Sequence, residues 1–409
     1  MTNSKPKPKL LFLCHRIPFP PNKGDKIRSF NLLDQLSNDF TVYLGAFIDD
    51  QDDWRWTDTV KQYCEECLFL PLNPTWARMV SLAGFFTNTA LSVPYYRSRK
   101  MQRWVDHVAR DTGIDRVLVF SSAMSQYVSN SRQSFAHKVV DYVDVDSDKW
   151  MQYAETRSWP LNWIYRREGR LLLKFDQAII GQFDAGYFVS SSEAELFKSL
   201  APQAARKIHY FNNGVNADYF TAEPDRANPY QEGDSVLVFT GAMDYWPNID
   251  AVTWFATEVF PVIRKRHPEV QFYIVGSNPA AEVVALGSID GVRVTGRVED
   301  VRPYQQYALA MVAPMRVARG VQNKVLEGMS MSKPVLVSAK GLEGINCDHQ
   351  HHVLLAENPK QYADLVEQLL RGEFVSLGEN ARTYIQQYYN WQKNLAQISS
   401  SFQVGGDNS

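Results

Sequence analysis

The sequence lacks any apolar run long enough to cross a membrane: a spanning helix needs about 18 or more nearly uncharged residues, and the best stretch, residues 79–86, is far shorter. The start, MTNSKPKPKLLFLCHRIPFPP, has a positive lead, but charge and prolines break its apolar core after five residues (LLFLC). It reads as a first strand and not as a secretory leader. Cysteine is scarce: Cys14, Cys64, Cys67 and Cys347 are scattered, which fits a reducing compartment and excludes a disulfide framework. A charge excess is also missing, with 43 Lys and Arg against 45 Asp and Glu, a net charge of −2. That excludes a protein working on nucleic-acid backbones through a general basic field. No repeat recurs at a fixed period. The expected location is the cytoplasm, with peripheral contact at the inner face of a membrane as the alternative.

What is present is core-forming material. Hydrophobic residues make up 45% and aromatics 13%, so only the ends, 1–9 and 405–409, read as disordered. At 409 residues the chain exceeds what one core usually organises, and two domains are expected. Short apolar runs recur in the first half: KLLFLCH, FTVYLGAF, CLFLPL, DRVLVFSS, KVVDYVDV, AGYFVSS and KIHYFNNG. Their continuous apolar character suits strands buried on both faces of a parallel sheet. The polar stretch 221–234 reads as the linker, and SVLVFTG, VQFYIVG, VRVTG, LAMVAP and PVLVS then form a second such sheet. The expected fold class is α/β with two doubly wound, Rossmann-like domains, residues 1–220 and 221–385. A helix in 386–409 packs back on the first, and ligands bind in a cleft at the carboxyl ends of the strands.

The segment 316–327 carries the sharpest chemistry. It lies in a strand–loop–helix–strand unit, ALAMVAPMRVARGVQNKVLEGMSMSKPVLVSA. Lys324 and Glu327 are three apart on one helix face, and Arg316, Arg319, Gly320 and Val321 lie in the loop before them. Cations and helix amides suit a diphosphate, and a carboxylate suits ribose hydroxyls. A surface ion pair between Lys324 and Glu327 is the plainer alternative.

This arrangement resembles the retaining GT-B glycosyltransferases of family 4, whose second domain carries two glutamates eight apart before a PVV strand. Glu327 matches the second, the one that binds donor ribose in the family, whereas Arg319 occupies the place of the first. After SVLVFTG, family members commonly place an arginine and a lysine on the diphosphate. Here Gly241 is followed by AMDYWPN without either cation, so Arg316, Arg319 and Lys324 are expected to compensate. The resemblance extends over IPFPPNKGDKIRSFNLLDQLS, VDYVDVDSDKWMQYA, TGRVEDVRPYQQYA and GVQNKVLE. It is closest to the sugar transferases associated with exosortase and PEP-CTERM systems among bacterial exopolysaccharide genes.

The resemblance implies transfer of a hexose from a nucleotide-diphosphate sugar to a glycan or lipid-linked acceptor, with retention and without a metal cofactor. Arg319, Lys324 and Asp144 are then the catalytic candidates. Gly24, Gly241, Arg297, Val298, Arg316, Gly320, Val321 and Glu327 face the donor, and Lys23, Asp25 and Arg28 face the acceptor. A silent nucleotide-sugar-binding partner and a nucleotide-sugar epimerase share the architecture and remain alternatives.

Other signals are weaker. Asp141, Asp144, Asp146 and Asp148 read as strand alternation followed by a helix cap in preference to a metal site. Cys64 and Cys67 form a lone CxxC without a second pair, and Cys347 with His349, His351 and His352 reads as a solvated loop. Residues 74–105 combine Trp76, Met79, Leu82, Phe85, Phe86, Tyr95, Tyr96 and Trp104 with Arg78, Arg97, Arg99, Lys100 and Arg103. That mixture fits anionic lipid headgroups, with an acceptor-site lining or plain core packing as alternatives.

Overall fold

A computed structural model describes residues 6–21, 24–82, 84–318 and 320–402. Two sites anticipated from sequence, Lys23 and Arg319, lie outside the described residues. The chain forms two compact units: the first runs to Asn212 and takes in the chain again from Leu395, and the second is Asn213–Asn394.

In the first unit the strands are β1 (Lys9–Cys14), β2 (Thr41–Ile48), β3 (Glu66–Pro71), β4 (Arg116–Phe120), β5 (His137–Val143), β6 (Ala185–Phe188) and β7 (Ile208–Tyr210). They pair in the order β3-β2-β1-β4-β5-β6-β7, every pair parallel. Leu10 to Cys14 are completely buried, because helices cover both faces of the sheet and leave a central strand no solvated side. The returning C-terminal segment is tied to this unit by Ser399 Oγ donating to Asp39 at 2.9 Å and by Arg116 Nε donating to the Phe402 carbonyl at 3.4 Å.

The second unit repeats the plan with β8 (Ser235–Thr240), β9 (Val270–Val275), β10 (Val292–Gly296), β11 (Ala310–Ala313), β12 (Val335–Val337) and β13 (Leu354–Leu355). Their order is β10-β9-β8-β11-β12-β13, again parallel throughout. The polar stretch 221–234 belongs to this unit and is not the linker. Arg226 Nη1 donates to Gln306 Oε1 at 2.6 Å, and Tyr230 Oη to the Tyr304 carbonyl at 2.6 Å, so polarity here reflects side chains that pin an extended segment.

Both orders share one consequence. The sense in which successive strands are added to the sheet reverses between β1 and β4 and again between β8 and β11, and ligands of such sheets bind beyond the carboxyl ends of the strands at that reversal. The residues just past Cys14 and Phe120, and past Thr240 and Ala313, are therefore the places to look.

Candidate functional site

In the second unit β8 runs into Gly241 and β11 into the loop carrying Arg316. Gly276, at the end of β9, approaches so closely that a β-carbon there would lie 1.6 Å from the Gly241 carbonyl oxygen; no side chain fits. Asn248, almost wholly buried, fixes the Gly241 turn by donating Nδ2 to the Ala242 carbonyl at 2.9 Å. Its Oδ1 accepts from Lys324 Nζ at 3.0 Å. One amide thus couples the two loops at the reversal point. The AMDYWPN segment carries no cation but supplies the residue that aims Lys324 from the opposite loop.

Lys324 and Glu327 stand half-buried on the same face of helix Asn323–Ser330. Lys324 also contacts Gln322 Oε1 at 3.4 Å and lies 5.0 Å from the Phe239 ring centroid. Burial pushes its ammonium down to about 8, against the pull of Glu327. Burial raises the Glu327 carboxyl, while Lys324 and a 3.4 Å bond from Gln305 Nε2 oppose the rise. Thr240 Oγ1, Gln305 Oε1 and Asn323 Oδ1 are buried without a hydrogen-bond partner. Leaving such atoms unpaired costs about 1–3 kcal/mol each, so they mark where a polar ligand finds partners. Gly320 is buried with φ +70°, a left-handed conformation natural to glycine, and Val321 packs on the core beneath.

Arg316 is half exposed and paired with Asp250. Its Nε donates to Asp250 Oδ2 at 3.0 Å and Nη2 bonds the other carboxylate oxygen, tethering the loop to helix Trp246–Trp254. Arg297 is exposed, whereas Val298 packs against the second unit's core. Replacing Asn248 with alanine strands the Ala242 carbonyl and frees Lys324, and is expected to cost about 1–3 kcal/mol. Chemical denaturation followed by a second-unit tryptophan such as Trp254 measures it.

In the first unit a pocket of about 420 Å³ opens at the reversal between β1 and β4, lined by His15, Asp25, Ser121, Asp144, Lys149 and Trp150 among others. Ser121 has φ +73° and Val143 φ +71°. The left-handed region is uncommon for serine and a true outlier for a β-branched residue, and strain of about 1–3 kcal/mol at such positions gathers at functional sites. The conformation of Val143 coincides with a register shift between β5 and β6, and it turns Asp144 toward the pocket.

Asp144 Oδ2 accepts from Lys149 Nζ at 2.6 Å, and Asp146 holds the same ammonium at 3.1 Å. Burial works against the Lys149 charge, but the two aspartates overcome it and raise its pKa. Across the pocket, Asp25 Oδ2 lies 3.3 Å from His15 Nε2 and accepts from Arg16 Nη1 at 3.0 Å. Although burial opposes it, hydrogen bonding and charge from His15 and then Arg16 hold the Asp25 carboxyl well below the usual range. The His15 ring stacks on Phe120, with centroids 5.7 Å apart and planes within 8°, and its Nδ1 is buried without a partner.

The structure corrects one assignment outright. Arg28 faces no acceptor: it is 0% exposed, and Nε and Nη2 grip Asp141 at 2.7 and 3.2 Å. The guanidinium also donates to the Phe211 and Phe188 carbonyls and sits 3.5 Å over the Phe211 ring. Gly24 is exposed at the start of helix Gly24–Asp39. The four aspartates of 141–148 do not converge on one point: Asp141 turns to Arg28, Asp144 and Asp146 turn to Lys149, and Asp148 accepts from Gln152 Nε2 at 2.9 Å. In the histidine loop, His349 and His352 accept from the Leu355 and Asp348 amides at 2.9 and 3.1 Å, which accounts for their presence structurally.

His15 and Lys149 escaped the sequence reading. The signal was a histidine directly after the first buried strand and a lysine one turn into the helix after Asp144.

Comparison with known proteins places these sites in context. Residues 234–372, most of the second unit, match the family model described as "Glycosyl transferases group 1". No curated protein matches the chain. Among solved structures, the chain is similar to Anabaena HepE in complex with UDP, at 13% identity and TM-score 0.67, covering 97% of this chain and 100% of that one. It is also similar to sucrose-phosphate synthase from Thermosynechococcus elongatus, at 16% identity and TM-score 0.70, covering 97% and 98%. WaaG, a glycosyltransferase involved in lipopolysaccharide biosynthesis, aligns at 15% identity and TM-score 0.62, covering 97% and 100%. These likenesses establish the fold as GT-B, two Rossmann-like domains.

Proposed function

We propose that the chain is a glycosyltransferase that moves a hexose from a nucleotide-diphosphate sugar to a hydroxyl of a glycan or lipid-linked acceptor, with retention, in exopolysaccharide assembly. The observation that carries this reading is the pair Lys324 and Glu327, held half-buried on one helix face at the sheet reversal and aimed by Asn248, inside the segment that matches a glycosyltransferase family. The ammonium and the first amides of helix Asn323–Ser330 stabilise the diphosphate as it leaves, which is where catalysis by charge complementarity is most effective. Glu327 accepts from ribose hydroxyls, and Gln305 keeps its carboxylate in place. Arg319, which precedes Gly320 in the sequence, is the proposed second phosphate ligand.

In the first unit, Asp144 with Lys149 and His15 with Asp25 supply paired acceptors and donors for sugar hydroxyls, and Trp150 supplies an apolar face. The reaction needs no divalent cation in this reading, so turnover persists in a chelator.

HepE was crystallised with UDP and with UDP-glucose, which makes uridine nucleotides the first probes. Calorimetric titration with UDP and GDP, followed by turnover of the matching nucleotide sugars with lipid-linked acceptors, tests the proposal. Saturable binding with transfer supports it. Binding without transfer or hydrolysis points to a silent partner, an isomerised donor to an epimerase, and no nucleotide binding overturns the reading.

A sharper test is Glu327→Gln. Loss of a charge-assisted hydrogen bond is worth about 1.5–3 kcal/mol, so nucleotide affinity should fall roughly 10- to 100-fold. A dideoxyribose analogue, which lacks the hydroxyls, should bind the variant and the parent protein alike.

A further inference from the structure

Two stretches distant in sequence form one surface of the first unit. Helix Pro74–Ser81 is amphipathic in the reversed sense: Ala77 and Ser81 are buried, while Trp76 and Met79, one turn apart, are 65% and 60% exposed. Leu82 continues that stripe. Trp159, Leu161 and Trp163, at and before the start of helix Leu161–Gln182, are exposed as well, Trp159 by 80%. The stretches are locked together. Arg167 donates to the Gly84 and Thr89 carbonyls at 2.6 and 3.3 Å, Phe85 stacks on Trp163 with planes within 8°, and Glu168 accepts from the Leu91 and Ser92 amides at 2.6 and 2.9 Å.

The charge of this surface is one-sided. Residues 74–105 hold five cations and no anion, and residues 156–175 hold five cations and a single anion, in a chain whose net charge is −2. That anion is Glu168, which is buried and occupied by the amides just named. Arg78, Arg157, Arg166 and Arg170 are exposed among the tryptophans.

Exposed apolar side chains gathered on a monomer mark an interaction site, and tryptophan favours the boundary between apolar and aqueous phases. A second copy of this face would bring like charges together, which opposes pairing. Anionic headgroups over an acyl phase satisfy both components at once. No helix among the described residues is long and apolar enough to cross a membrane, so the contact is peripheral.

We infer that this tryptophan- and arginine-rich face docks on an anionic lipid surface and presents the first-unit pocket to an acceptor carried in that surface. The link to the pocket is direct: Ser92, Trp150 and Leu172 line it. Ser92 is held by Glu168, while Trp150 and Leu172 belong to the small cluster that joins the two stretches. The choice of a lipid-borne acceptor rests on the transferase reading; the docking does not.

The test is flotation of the full chain with phosphatidylcholine vesicles, with and without phosphatidylglycerol, at low and high salt. The protein should float with the anionic vesicles at low salt, float less at high salt, and stay behind with phosphatidylcholine alone. The triple variant Trp76→Ser, Trp159→Ser, Trp163→Ser, and separately Arg78→Glu with Arg166→Glu, should each cut partitioning roughly tenfold or more with an unchanged circular dichroism spectrum. Failure of the parent protein to float with anionic vesicles, variants that float equally well, or a dimer that the tryptophan variant abolishes would overturn the inference. UDP titration without vesicles separates this outcome from failure of the transferase reading, because neither variant should alter it.

Discussion

Replacing Arg28 with alanine should destabilise the first unit by about 3–5 kcal/mol, the usual cost of leaving a buried charge without its partner. The side chain spans from helix Gly24–Asp39 to the carboxyl ends of three neighbouring strands, taking Asp141 near the end of β5 and carbonyls beyond or at the ends of β7 and β6. Removing it strands the Asp141 carboxylate, which is 0% exposed. Asp141 Oδ1 also accepts from the Val143 amide at 3.1 Å, so the ion pair supports the left-handed turn that aims Asp144. Arg28→Lys should recover only part of the loss, because an ammonium cannot make the bidentate grip. Arg28→Met with Asp141→Leu should recover more stability, since a matched apolar pair avoids the desolvation penalty, yet it leaves Val143 unsupported and the pocket misaligned. Denaturant midpoints report the first effect. Nucleotide affinity of the second unit, measured by calorimetry under native conditions, should hardly change in any variant that folds.

Arg28 also shows where sequence reasoning reaches its limit. A cation just after a Pro/Gly loop and one turn into a helix reads as surface, and nothing local signals a partner 113 residues away. The strands were legible for the opposite reason: burial on both faces writes itself locally as continuous apolar runs such as LLFLC and VLVFT. The spacing of Lys324 and Glu327 was legible because helical geometry turns three residues into one face. Strand order is not local, and without it the reversal points could not be located. For that reason His15, which follows β1, carries no local signal, whereas Asp144, just past β5, stands out in a run of aspartates. Asn248 is illegible for the same reason: its segment lacks cations, and its contribution, an amide that orients a cation from the opposite loop, depends on a contact 76 residues away in the chain.

Lys324→Ala should lower kcat by about 10²–10³-fold, the range found when one preorganised group facing developing charge is removed (~2.7–4 kcal/mol). KM for the donor should rise less, because the charge on the diphosphate grows as the sugar departs. The pH dependence separates this role from a structural one. With its pKa lowered to about 8, the free protein carries a charged Lys324 at neutral pH and loses it above 8. UDP affinity should therefore weaken by roughly tenfold between neutral pH and pH 9, as the competent form is titrated away. In Lys324→Arg that slope should vanish, because a guanidinium stays charged throughout, even though its different shape lowers the affinity overall.

Stability runs the other way. A lysine whose folded pKa lies below its unfolded value of 10.5 leaves the unfolded chain holding more protons between about pH 8 and 10.5, so Lys324's contribution to stability rises with pH across that window. In the parent protein, binding and stability should thus change in opposite senses above pH 8, and the alanine variant should lose both dependences together. A lysine that served only to hold Asn248 would show the same rise in stability, because that rise follows from its lowered pKa whatever its role, but it would leave nucleotide affinity flat, so the affinity titration decides between the roles.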